Sequence, residues 1–294
     1  MPSLKEVRNK ISSVGSTMQI TSAMKMVSAA KLKRAQDAIT QMRPYANKLK
    51  EILENVSASV DASENIYARN TQTKNVLIIA VSSNRGLAGA FNANIIKKAN
   101  QLIKTEYSGC NITVLPVGKK VQDAFKRTAY GISGQDLPHH TSELFDKLNF
   151  ENVSPVIEKI MHSFLNKQFD KVVIIYNQFV NAALQVPVEE QLLPVVATPS
   201  DNKTTHVNAD YIFEPSEEYI VNELIPRSVK TQFYKALLDS FASEHGARMT
   251  AMHKATDNAK AIQRELKIMY NKARQAAITK EILEIVGGAE ALNG

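Results

Sequence analysis

Between Ser243 and Gly288 the chain places Met252, Ala255, Ala259, Ile262, Leu266, Met269, Ala273 and Ala276 at unbroken steps of three and four. A repeat of 3.5 residues makes a narrow apolar seam along one side of a helix, which is the pattern of a coiled coil and not the wider stripe of a core helix. The spacing predicts one long helix from near Ser216, just after Pro215, to about Val286, with Gly287-Gly288 as its terminator because glycine enters the left-handed conformation cheaply. Pro226 either kinks this helix or starts its long section.

The first sixty residues carry a seam of the same kind. The frame Leu4, Val7, Ile11, Val14, Met18 passes through Thr21, Lys25 and Ser28, then resumes at Leu32, Ala35, Ile39, Met42, Ala46, Leu49, Leu53, Val56 and Val60. Pro44 lies inside this helix and is expected to kink or locally break it. At 21–28 the apolar residues move one place, to Ile20, Met24 and Val27, so the seam is expected to lose phase there and meet a different neighbour. Two such helices at opposite ends of a chain, with a folded segment between them, pair antiparallel and coil left-handed.

The middle of the chain has another texture. Asn75–Val81, Asn111–Val117 and Lys171–Asn177 are short apolar runs rich in β-branched residues, separated by helical stretches near 91–107, 119–127 and 152–167. Strands that are apolar on both faces belong to a parallel sheet covered by helices, as in a small Rossmann-like α/β domain. Leu184–Val196 reads as a further strand pair at a sheet edge, interrupted by Pro187 and Pro194. Residues 197–215 read as the return loop. The expected domains are therefore an N-terminal coiled-coil helix over 1–60, an inserted Rossmann-like α/β domain over 61–215 and a C-terminal coiled-coil helix over 216–294.

Charge is unevenly spread. Residues 1–50 hold ten Lys and Arg against Glu6 and Asp37, a net +8 out of a total of +7, so the remaining 244 residues sum to −1. A basic helix suits nucleic acid or acidic protein loops equally. The single cysteine, Cys110, excludes an internal disulfide and points to a reducing compartment. No run approaches the roughly 18 apolar residues that a membrane span needs, and no secretory leader is legible.

Chemistry is hard to find. Ser82-Ser83-Asn84-Arg85-Gly86-Leu87-Ala88-Gly89-Ala90-Phe91-Asn92 follows the first strand, where a nucleotide-binding fold would cradle phosphate, but its glycines fit neither phosphate-loop spacing. A tight strand-to-helix turn is the better reading. Adjacent His139 and His140 would point opposite ways on a strand, which suits a metal poorly. No G-x-S-x-G or H-E-x-x-H occurs, and no catalytic, cofactor or metal site is expected.

The residues Ile11 to Val27, the Ser82–Asn92 turn, Ser243–Met252 and Tyr270–Glu281 running on to Gly288 resemble the gamma subunit of rotary F-type ATP synthases, in order and spacing, over essentially the whole chain. Asn84 and Ala88 depart from the aspartate and cysteine expected in the turn. The resemblance implies a non-catalytic central rotor shaft, with catalysis on the beta subunits and no cofactor of its own. It implies three alpha and three beta subunits around one shaft, an epsilon subunit and a ring of c subunits as partners, and a peripheral place on the cytoplasmic face of a bacterial inner membrane. It also implies that Met24, Arg248, Arg274, Gln275, Thr279 and Glu281 touch the stator and affect coupling. A different class of function, a coiled coil that clamps nucleic acid with its basic helix, predicts stacking aromatics among the basic residues, and the first fifty positions hold only Tyr45. A nucleotide-dependent enzyme lacks its phosphate loop.

Overall fold

A computed structural model describes residues 3–57, 66, 67, 69, 72–132, 137–195 and 217–293. The expected domain boundaries at 60/61 and 215/216, and the return loop 197–215, lie outside the described residues. By compactness the chain divides into one unit formed by residues 1–29 and 248–294 and another formed by residues 30–247.

The larger unit holds a four-stranded sheet in the order β2-β1-β3-β4. β1 (Asn75–Val81) runs parallel to β2 (Asn111–Val117) and to β3 (Lys171–Phe179), while β4 (Gln185–Leu193) is antiparallel to β3. Successive side chains on a strand face opposite ways, so apolar runs must be covered on both sides. Leu77, Ile79 and Val81 of β1 and Val172, Ile174 and Tyr176 of β3 pack with Val153, Ile157, Ile160 and Phe164 of α4 (Phe150–Leu165) and with Ile225, Val229, Phe233 and Leu237 of α5 (Glu217–Asn293). Val76, Ile78 and Ala80 of β1 and Val173 and Ile175 of β3 pack with Ile95, Ala99 and Leu102 of α2 (Phe91–Lys104) and Val121 and Phe125 of α3 (Lys119–Phe125). Asn149 caps α4, its side chain accepting from the Asn152 amide at 3.0 Å.

Three expectations about these elements need correction. The strand pair read over 184–196 is a single strand, β4, at the sheet edge. Its connection from β3 is too short for a crossover, so it returns antiparallel. The Asn181 side chain shapes that turn by accepting from the Ala183 and Leu184 amides at 2.9 and 2.8 Å. At the edge Pro187 needs no ladder partner for the N–H it lacks. α1 (Leu4–Ser57) continues through Pro44, so no local break occurs there; Pro44 and Thr40, whose carbonyl loses its donor, are both exposed and water can serve that carbonyl. α5 continues through Pro226 and also through Gly287-Gly288 to Asn293. The glycines do not terminate it. Glycine inside a helix costs only about 1 kcal/mol, and both positions face open space.

In the smaller unit the first part of α1 lies against the last part of α5. Arg8 donates to the Tyr270 hydroxyl at 2.8 Å, a Cβ at Gly15 would meet Gln263 at 3.2 Å, Thr21 and Thr256 share a 2.8 Å hydrogen bond, and Lys25 Nζ lies 3.4 Å from His253 Nδ1. As one partner climbs from 8 to 25 the other descends from 270 to 253, so the helices are antiparallel at constant register.

Candidate functional site

The contact face of the two-helix arm differs from its sequence reading in a way that bears on function. On α1 the frame never loses phase: Thr21 and Ser28 are buried, whereas Ile20, Met26 and Val27 stand 60%, 66% and 58% exposed. The expected shift to Ile20 and Val27 is therefore wrong. The seam keeps its heptad and becomes polar, because a hydroxyl from each helix satisfies the other. On α5 the seam runs through Met252, Thr256, Ala259, Gln263, Leu266, Tyr270 and Ala273, which are buried or half-buried. The predicted Met252, Ala259, Leu266 and Ala273 hold. Between them the inward residue lies one place later than expected, and Ile262 and Met269 are about half exposed.

Five of the six residues implied by resemblance lie on α5 and one on α1, and they do not form one cluster. Met24 is half-buried on α1, at the level of the Lys25–His253 contact. Arg248 is buried, while Arg274, Gln275, Thr279 and Glu281 are exposed. The Thr279 hydroxyl donates to the Gln275 carbonyl at 2.9 Å, a contact within its own helix. By the antiparallel register Met24 falls opposite about residue 254, so Arg274 stands about 20 residues, or roughly 30 Å, further along. By the same register Leu4 falls opposite Arg274. From Gln275 onward α5 has no partner helix among the described residues, and Ile278, Ile282, Leu283, Ile285 and Val286 are exposed.

The Ser82–Asn92 turn is closed on itself. The Ser83 amide donates to Asn92 Oδ1 at 3.0 Å, the Asn84 side chain donates to the Ser142 carbonyl at 2.7 Å, and Ser82 Oγ accepts from the Val121 amide at 3.0 Å. The Lys119 and Lys120 amides are spent on Asn84 Oδ1 and the Ser83 carbonyl, both at 3.2 Å. A Cβ at Gly118, where φ is +110°, would stand 2.1 Å from the Ser82 carbonyl oxygen. These contacts tie the turn to its neighbours. It serves packing: Ala88 and Phe91 bury against Ala247 of α5, and Asn177 Nδ2 donates to the Phe91 carbonyl at 3.2 Å.

A second polar group ties sheet to helix and was not foreseen. The Tyr176 hydroxyl donates to Glu190 Oε1 at 2.5 Å, Gln232 Nε2 donates to Glu190 Oε2 at 3.3 Å, and Lys235 Nζ stands 4.0 Å from Glu190 Oε1. One turn on, Asp239 is buried. Burial chiefly, and the negative Glu190 in addition, push its carboxyl up to about 6, against the opposing pull of Lys235 and Arg43. Burial and the carboxylate of Glu190 also raise the Tyr176 phenol. Only the strand alternation of Glu190 and the helical spacing of 232, 235 and 239 could have signalled this group. His139 and His140 are exposed, and no cluster that could hold a metal ion occurs among the described residues. No helix among them is long and apolar enough to cross a membrane.

Comparison with known proteins gives the following. The profile of the family described as ATP synthase matches residues 3–292. The ATP synthase gamma chains of Christiangramia forsetii and Flavobacterium johnsoniae are 55% and 56% identical, over 100% of this chain and of each relative. Among solved structures, a chain of the central stalk and c-ring of the Tetrahymena thermophila mitochondrial ATP synthase is 26% identical with a TM-score of 0.56, covering 80% of this chain and 99% of that one. A chain of the Euglena gracilis mitochondrial ATP synthase, 21% identical, has a TM-score of 0.68 over 98% of this chain and 94% of that one, and shares the fold.

Proposed function

Because the chain belongs to the ATP synthase gamma-chain family, we propose that it is the central rotor shaft that couples rotation of an ion-driven c-ring to conformational change at catalytic sites on beta subunits. The observation that carries this reading is 55% identity over the full length of a gamma chain. The antiparallel helix arm supports it, since two helices side by side resist bending and twisting better than one.

Finer points belong to the same proposal. One copy stands in a ring of three alpha and three beta subunits, with an epsilon subunit beside the α/β region. The chain sits peripherally on the cytoplasmic face of the inner membrane. Residues 1–60 and 216–294 form the two arms, and 61–215 the inserted domain. Met24, Arg248 and, further along α5, Arg274, Gln275, Thr279 and Glu281 face the stator. The basic start of α1 draws it toward acidic loops.

Reconstitution tests the reading. Purified alpha and beta subunits mixed with this chain are expected to give a complex with one copy per three alpha–beta pairs and cooperative ATPase activity. A chain that neither joins the complex nor alters turnover would overturn it.

A further inference from the structure

The other polar contacts between the arm's helices, Arg8–Tyr270 and Lys25–His253, are exposed, where water competes for the same groups. In the apolar seam contact is non-directional and Ala259 and Ala273 are small, so that part fixes axial position only weakly. A polar pair buried in such a seam specifies register. Thr21 and Thr256 are such a pair. Both are buried and their Oγ1 atoms lie 2.8 Å apart. Thr21 Oγ1 also lies 3.1 Å from the Met18 carbonyl, and Thr256 Oγ1 2.8 Å from the Met252 carbonyl. Each hydroxyl has one proton and can accept as well. One threonine therefore donates to its own helix while accepting the proton of the other, and every proton is used. An axial slip of about 2 Å would stretch the bond past the length at which a hydrogen bond holds.

We propose that the Thr21–Thr256 hydrogen bond is a register lock that positions α1 on α5 at the level of Met24, so that exposed Ile20, Met26 and Val27 meet the stator at one height and angle. The inference rests on the rotor reading. Both threonines are positioning residues, acting through the surface they hold and not by touching a nucleotide.

The test compares three full-length chains in the assembled, membrane-reconstituted enzyme: unsubstituted, Thr21→Val/Thr256→Val, and Thr21→Ser/Thr256→Ser. Valine keeps the shape of threonine and leaves no orphan hydroxyl, so melting of the double valine chain is expected to match the original. Spin labels at Gln19→Cys and Asn258→Cys, with Cys110→Ser, report the inter-helix distance. One buried hydrogen bond corresponds to about a fivefold shift in population, so the valine pair is expected to raise slipped conformers about fivefold. It is also expected to lower ions transported per ATP, with serine restoring both. An unchanged distance distribution overturns the lock, and a broadened one with unchanged ion yield overturns the positioning role. If the unsubstituted chain fails to assemble, the rotor reading fails and the positioning role with it. Distances in the free full-length chain still decide whether the register lock exists.

Discussion

At the scale of single residues the informative ones are polar groups kept where apolar ones would cost less. Asp239 is buried and its carboxyl is raised from 3.8 to about 6. A folded-state value above the unfolded one means that stability present below about pH 4 is lost as pH rises through about 6. Asp239→Asn removes that loss. The variant is expected to be more stable than the original by on the order of 2 kcal/mol at pH 8 and equal to it near pH 4. Denaturant unfolding at the two pH values measures this, and a gain independent of pH would refute it. Met24 is a different case, half-buried beside the Lys25–His253 contact in an already basic helix. Met24→Lys adds a cation where the proposed stator loops are acidic, so ATP yield per transported ion is expected to fall by several-fold while folding is unchanged. A normal yield in reconstituted vesicles would sink the assignment. Neither Asp239 nor Thr256 was legible as special in the sequence, since a buried acid and a buried hydroxyl look like solvated ones until the partner strand or helix is in place.

At the scale of elements, periodicity located three strands to within a few residues and both long helices apart from the far end of α5, because the seam and the two-faced apolar runs are each imposed by burial. It failed where two phases were nearly equivalent. On α5 the apolar choice, Ala255, Ile262 and Met269, reads better than Thr256, Gln263 and Tyr270, yet the second set faces α1. The choice was made by partners on the other helix: Thr21 for Thr256, Gly15 for Gln263 and Arg8 for Tyr270. The opposite error appears on α1, where a polar stretch was mistaken for a lost phase. The two phases on α5 predict different costs. Leu266→Ala is expected to destabilise the arm by about 1–2 kcal/mol, and Met269→Ala by less than about 0.5 kcal/mol, since only the first empties the seam. Equal losses in chemical denaturation would restore the phase read from the sequence.

At the scale of the whole molecule the end of α5 links fold to function. Beyond Arg274 the helix outruns its partner and carries exposed Ile278, Ile282, Leu283, Ile285 and Val286. A single helix with apolar residues on several sides gains nothing from water and requires cover. Under the rotor reading the cover is the surrounding hexamer, and the same apolar end promotes self-association of the free chain. A chain stopped after Ala277 removes that surface and leaves the paired seam and the sheet intact. Its melting temperature is expected to match the full chain's, because the deleted turns pack against no other described element, and its tendency to self-associate should fall. The complex with alpha and beta subunits is expected to dissociate at lower temperature or greater dilution than one built on the full chain. A melting temperature that drops with the truncation would show instead that the terminal turns stabilise the chain itself. A complex of unchanged durability would show that the hexamer holds the shaft elsewhere, leaving the basic start of α1 and the Met24 level as the grip.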